Sequence, residues 1–320
     1  MSKETKRILI TGACGQIGTE LGVYLKEVYG QENIVVSDVC IPENGVDCGC
    51  AVERLDVTDR VGLHALIDKY EIDTIYHLAA LLSGSGEKNP ELCWKVNIEG
   101  LKNVLDTARD KKILRVFVPS SIAAFGPDTP KDNTPQDTIL CPSTMYGVTK
   151  VSGELLCDYY VRKYGLDVRG IRYPGIISSE VLPSGGTTDY AVEIFYDAIK
   201  KGSYTCFLSE DTTLPMMYLP DALRGTVALM QADFSRLKHH SNFNLTAFSF
   251  SPAQLAQVIK KQMPAFTIEY KPDYRQAIAD SWPRSIDDSV ARQEWDWKPE
   301  FDLEKMAVDM IKRLTPKLLK

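Results

Sequence analysis

The glycine triplet Gly12-Ala-Cys-Gly15-Gln-Ile-Gly18 constrains the fold more than any other feature of this chain. It stands between residues 7–10, a short apolar run that reads as a strand, and residues 16–29, where Ile17, Leu21, Tyr24, Leu25 and Val28 recur at helical spacing. In that setting Gly12 permits a tight turn, Gly15 lets backbone approach a pyrophosphate, and Gly18 lets the helix pack closely on a sheet. The phosphates would sit on the positive end of the helix. A strand, a glycine turn and a helix in this order predict the first unit of a dinucleotide-binding domain.

The following residues repeat the unit. Strands are expected at 34–37, 51–55, 74–78, 114–119 and 168–172, and helices from about 56, from Pro90 to about 109, and over 145–164. The stretch LLSGSGEKNP, 81–90, reads as a loop. Apolar strands alternating with helices predict an α/β fold, a doubly wound parallel sheet of the Rossmann kind. Past Pro174 the pattern becomes irregular, with helices expected near 189–200, 220–232, 251–261 and 303–314 and short strands at 203–208 and 267–270. The division expected is a nucleotide-binding domain over 1–173 and a smaller α/β substrate lobe over 174–320, the two interleaving.

The chain has 320 residues, with 37 Lys and Arg against 43 Asp and Glu, a net charge of −6 without any long run of one sign. Nucleic acid and anionic membrane are therefore poor partners. The lead MSKETKRILI has no apolar signal core, and no window of 18 apolar residues follows it. Eight scattered cysteines fit a reducing compartment, cytoplasm or mitochondrial matrix. Cys40, Cys48 and Cys50 share one loop but lack C-x-x-C spacing and an evident fourth ligand, so no metal is expected. His77 reads as a satisfied core residue. Met216, Met217, Trp295 and Trp297 read as packing of the second lobe, with Met217 also a candidate to line the pocket.

Asp38 falls 20 residues after Gly18, at the end of the second strand. A carboxylate there accepts hydrogen bonds from the adenine ribose diol and repels a 2′-phosphate, and no Arg follows to receive one, so NAD is favoured over NADP. Asp56 and Val57, after the third strand, are placed to meet the adenine. The spacing Tyr146-x-x-x-Lys150 puts a phenol and an ammonium on one helical face. The ammonium and the positive nicotinamide ring both favour phenolate, which predicts Tyr146 as a general base with its pKa lowered by the two charges. Ser121, some 25 residues upstream, would help hold the reacting oxygen.

Together with His77-Leu-Ala-Ala80, Asn97, Ser120-Ser121, Phe125-Gly126 and Arg172-Tyr-Pro-Gly175, these motifs resemble the extended short-chain dehydrogenase/reductase family. Phe125 departs from the Tyr usual in its sugar-nucleotide members. The resemblance implies NAD contacts from Gln16, Ile17, Leu78, Ala79, Ala80, Asn97, Tyr173, Gly175 and Ile176 beside the residues already named. In the second half, LPSGGTTDYA, CFLSEDTTLPMMYLPDA and IDDSVARQEWDWKPEFDLEKM are similar to the short-chain-type L-threonine 3-dehydrogenases. That likeness implies L-threonine as substrate, held by Ser83, Ser121, Tyr146 and Thr187 or Thr188, and a homodimer built on the helices near 90–109 and 145–164. Residues 174–198 contain no Lys or Arg to grip a substrate pyrophosphate, and Ser184, Gly185, Gly186, Thr187 and Thr188 suit a small zwitterion. The rival expectations are a nucleotide-sugar 4-epimerase and a dinucleotide-sensing protein without turnover.

Overall fold

The computed structural model describes residues 5–42, 48–182 and 186–319. Its first half contains β1 (Ile8–Thr11), α1 (Gln16–Tyr29), β2 (Ile34–Asp38), β3 (Ala51–Arg54), α2 (Arg60–Tyr70) and β4 (Thr74–His77). Then come α3 (Ser83–Lys88), α4 (Pro90–Trp94), a π-helical turn (Lys95–Gly100) and α5 (Leu101–Asp110). They are followed by β5 (Arg115–Phe117), β6 (Ser120–Ser121), α6 (Met145–Tyr164) and β7 (Val168–Arg169). The main sheet has the order β3-β2-β1-β4-β5-β7, with every pairing parallel. The order reverses between β1 and β4, and such a reversal places a crevice at the carboxyl edge of the sheet.

The second half adds β8 (Ile171–Tyr173), β9 (Gly175–Ile177), α7 (Tyr190–Lys201), β10 (Ser203–Cys206), β11 (Leu214–Tyr218) and α8 (Leu219–Gln231). It continues with β12 (Phe243–Asn244), β13 (Phe248–Phe250), α9 (Pro252–Gln262), β14 (Thr267–Tyr270), α10 (Arg275–Ser281), α11 (Ser289–Trp295) and α12 (Leu303–Leu318). Three small sheets result, β12-β8-β6, β13-β11-β9 and the pair β10-β14. No helix among the described residues is long and apolar enough to cross a membrane.

The two-residue period of β1 sorts its side chains between layers. Ile8 and Ile10 pack with Leu21 and Leu25 of α1 and with Met217, Phe243, Trp295 and Trp297 from the second half. Leu9 points the other way, among Leu63, Ile67, Leu105 and Cys157 of α2, α5 and α6. Burial on both faces explains why the strand is a continuous apolar run without alternation. A third core, including Phe195, Tyr204, Phe250 and Met306, reaches the main domain at Phe125 and Tyr146.

Three local expectations are corrected. The single strand expected over 168–172 is broken at Gly170, whose amide donates to the carbonyl of His240 at 2.9 Å. A Cβ at Gly170 would lie 2.3 Å from the Val118 carbonyl oxygen, so the chain passes too close to its neighbours for any side chain and there exchanges one sheet for another. The loop expected over 81–90 contains a helix, because α3 is held by tertiary packing: a Cβ at Gly86 would meet the Cys93 sulfur at 2.9 Å and Tyr146 Cβ at 3.7 Å. Met217 has no exposed surface and belongs wholly to the core.

Candidate active site

The loop after β1 is built by exclusion of side chains. Gly12 has φ +69°, and a Cβ there would lie 2.5 Å from the Ala79 nitrogen, so the loops after β1 and β4 touch through backbone. A Cβ at Gly18 would lie 2.4 Å from the Gly12 carbonyl oxygen. At Gly15 the nearest contact would be 3.4 Å, which leaves space on the side where α1 begins. No side chain caps α1 and no acidic residue lies in its first turn, so its amides are free to receive an anion. The side-chain nitrogen of Gln16 is buried without a hydrogen-bond partner among the described residues, a further donor at this point. Ile17 packs beside it in the core under α1.

Asp38 ends β2, and its two carboxylate oxygens accept from the amides of Cys14 at 3.0 Å and Cys40 at 3.2 Å. The carboxylate is thereby aimed from the second strand at the glycine loop. Burial and the Asp38 charge push the Cys14 thiol up to about 11, so it stays neutral beside the anion site. Asp56 is exposed and accepts from Thr58, while Val57 is buried against Gly100. Leu78, Ala79 and Ala80 line a cleft that continues to Asn97 and Lys150. Asn97, on the π-helical turn, accepts from the Leu81 amide at 2.8 Å and donates to the Leu81 carbonyl and to Thr149 Oγ1, both at 3.0 Å. These bonds fasten the wall of the cleft to α6.

Helix α6 carries the reactive pair. Thr144 caps it by accepting from the Gly147 amide, and Glu87 of α3 accepts from the Met145 amide at 2.6 Å. In the first turn of the helix the Tyr146 phenol is buried beside the Ser121 hydroxyl, which favours its charged form. Lys150 lies with its Nζ 5.3 Å from the centre of the Tyr146 ring and donates to the Pro119 carbonyl at 2.8 Å. Ser121, Tyr146 and Lys150 thus meet at one point at the carboxyl edge of the sheet.

Burial dominates the electrostatics of the protein alone. It pushes the Tyr146 phenol up to about 12, only partly offset by the Ser121 hydroxyl, and pulls the Lys150 ammonium down to about 8. Removal from water disfavours the charged form of each group. His77 is buried, its Nδ1 2.8 Å from Thr11 Oγ1, and burial with the nearby Lys150 charge pulls it down to about 3. It is neutral at physiological pH.

Ser83 opens α3 and is buried. Thr188 lies against β9, where a Cβ at Gly175 would meet its Cγ2 at 2.8 Å and Met216 sulfur at 2.2 Å. Thr187 is buried, and Ser184 and Gly185 lie outside the described residues. The Tyr173 hydroxyl is committed to Thr226 within the core, and Ile176 packs in the same core. Among the described residues no three His, Cys, Asp or Glu side chains converge as a metal cage.

Residues 8–245 match the NAD dependent epimerase/dehydratase family. This chain belongs to that family. A family member from Staphylococcus haemolyticus, described as an uncharacterized epimerase/dehydratase, is 49% identical over 98% of both chains. The structure also superimposes on L-threonine dehydrogenase from Clostridium difficile at 50% identity with a TM-score of 0.97, covering 99% of this chain and 100% of that one. The holo form of a Cupriavidus necator L-threonine dehydrogenase gives 50% identity and a TM-score of 0.94, covering 96% and 99%. The family cofactor is NAD. The residues present fit it: a glycine loop without room for side chains at Gly12 and Gly18, an uncapped helix, an unpartnered buried amide at Gln16 and a carboxylate at Asp38.

Sequence reasoning gave no role at the site to Glu87 and Glu154, and named Ser120 and Arg172 only as parts of motifs; the structure brings all four to the elements around Tyr146 and Lys150. Glu154 had a signal in plain view, since Tyr146, Lys150 and Glu154 continue one four-residue stripe of α6.

Proposed function

We propose that this protein oxidises the C3 hydroxyl of L-threonine with NAD, yielding 2-amino-3-oxobutanoate. The observation that carries the reading is the grouping of Ser121, Tyr146 and Lys150, supported by the absence of Lys and Arg from the sequence of residues 174–198. The likeness over nearly the whole chain to L-threonine dehydrogenases of known structure supports the same choice.

Bound NAD accepts the hydride from C3 and brings a positive ring to the site. Gly12, Gly15, Gln16, Ile17 and Gly18 would hold its pyrophosphate, and Asp38 its adenine ribose, with Asp56 and Val57 flanking the adenine. Leu78, Ala79, Ala80, Asn97, Tyr173, Gly175 and Ile176 would line the remainder. Tyr146, as phenolate, takes the proton from the C3 hydroxyl, and Ser121 donates a hydrogen bond to the same oxygen. Lys150 would hold the nicotinamide ribose, and its charge would favour the phenolate. Ser83 and Thr187 or Thr188 orient the amino acid, whose charges need few partners when its ends are met by hydroxyls and backbone.

The assay is direct. L-threonine with NAD should produce NADH absorbance, and nucleotide sugars should give neither absorbance nor an epimer. Sugar epimerisation without net NADH would replace this reading with a 4-epimerase, and tight NAD binding without turnover would replace it with a sensor. A homodimer is part of the same proposal: Leu92 and Trp94 on α4 and Leu155 and Tyr159 on α6 are exposed apolar residues on adjoining helices. Light scattering that returns one chain mass would reject it.

A further inference from the structure

Three successive turns of α6 grip three successive residues of one short segment. Lys150 donates to the carbonyl of Pro119, Glu154 accepts from the Ser120 hydroxyl, and the Tyr146 phenol lies beside Ser121. Glu154 is buried and forms a two-pronged pair with Arg172, Nε to Oε1 at 2.9 Å and Nη2 to Oε2 at 2.7 Å. Arg172 lies directly across the ladder from Ser120, because β6 and β8 run parallel with Ser120 beside Arg172 and Ser121 beside Tyr173. Its Nη1 donates to the Gln136 carbonyl at 2.9 Å and to Asn244 Oδ1 at 3.1 Å. Ser120, Glu154 and Arg172 therefore form a closed, buried polar triangle next to the segment that carries Ser121.

A buried ion pair contributes little net stability compared with apolar packing of the same volume, so its place beneath a reactive site calls for another role. We propose that Glu154, locked by Arg172 and Ser120, is a positioning residue that keeps Ser121 in register with Tyr146 and supplies the negative charge facing Lys150. The inference rests on the reading of Ser121, Tyr146 and Lys150 as the reacting side chains.

The surroundings of Lys150 support the second role. Burial keeps the Tyr146 phenol and the Cys93 and Cys157 thiols neutral, and His77 at the end of β4 is held uncharged. Glu154 is the carboxylate that raises the ammonium against the pull of burial, with Arg172 on its far side. Backbone partners alone, such as the Pro119 carbonyl, cannot supply a full charge.

The test uses the whole protein, with near-ultraviolet circular dichroism checking the fold of each variant. Ser120→Ala removes one side of the triangle and leaves the ion pair. Its kcat should fall roughly tenfold through misplacement of Ser121, with KM and NAD affinity within about twofold of the parent. Glu154→Gln keeps the shape but removes the charge, so the alkaline loss of NAD affinity should begin about half a pH unit or more lower. Glu154→Asp, which retains charge but withdraws it from Ser120, should keep that pH profile and still lose turnover, and it carries the test if the glutamine variant does not fold. A Ser120→Ala or Glu154→Asp enzyme with parental kcat, or a folded Glu154→Gln protein with an unmoved NAD profile, overturns the proposal. The NAD profile needs no substrate, so a shifted profile in a protein inert toward threonine would sink the threonine reading and leave the role of Glu154 standing.

Discussion

The two ends of the crevice are made in different ways. The end proposed to take adenosine and pyrophosphate is made mostly of backbone: a turn at Gly12, uncapped helix amides at α1, and one carboxylate, Asp38, held by two amides. The reacting end is made of side chains drawn from β6, α6 and β8, and their burial pushes Tyr146 and Lys150 away from their ordinary ionisation in the uncharged direction. A diphosphate can be recognised by amides that do not titrate, whereas proton transfer needs groups whose charge can change. The first end therefore depends on the absence of Cβ atoms, and the second on the accuracy with which separate elements meet.

The sharpest way to break this contrast is Tyr146→Phe. Turnover should fall by about 10²–10⁴-fold, the usual worth of a general base, while NAD affinity measured by fluorescence titration stays near the parent value. Retained turnover would remove Tyr146 from the chemistry. Asp38→Ala should do the reverse, costing about 1.5–3 kcal/mol of NAD binding, or roughly 10–100-fold, without altering kcat at saturation. NADP should lose far less, and an unchanged NAD to NADP ratio would refute the ribose role.

The glycines separate binding from folding within the first end. Gly18→Ala forces a Cβ to 2.4 Å from a carbonyl oxygen and should lower stability by about 1–3 kcal/mol in urea unfolding. Gly15→Ala meets nothing closer than 3.4 Å and should unfold like the parent while binding NAD less tightly. Equal stability losses in both would mean that Gly15 serves packing alone.

The smallest effect is spectroscopic and concerns the second end. In the protein alone the Tyr146 phenol is protonated to about pH 12, so the base form grows as pH rises. Added NAD brings positive charge beside the phenol and should move phenolate absorbance to lower pH, by about one unit or more. Oxidation should accordingly quicken from neutral toward alkaline pH until Lys150, which titrates near 8, loses its charge. The Tyr146→Phe protein supplies the blank, and no NAD-dependent difference between the two would show that the ring charge does not reach this phenol.

Legibility in the sequence followed the range of the forces involved. The helix expected over 16–29 appears with those bounds as α1, and that over 145–164 as α6, because apolar spacing and caps at Thr144 and Gly165 are local signals. The second-half strands were mostly missed: β9, β12 and β13 are only two or three residues long and owe their pairing to distant partners. Helix α3, with glycine at two of six positions, forms against propensity because Gly86 fits between Cys93 and Tyr146. Nothing near residue 86 in the chain announces that contact.

By itself, the sequence determined the parallel α/β class, the dinucleotide loop and the identity of the residues that could react, since glycine placement and four-residue spacing are properties of the local chain. Only the tertiary structure decided that Ser121 lies beside Tyr146, that burial raises the phenol and lowers the ammonium, and that Glu154 and Arg172 pair next to Ser120. Desolvation and ion pairing depend on which distant segments exclude water from a side chain, and those segments become neighbours only when the sheets have formed.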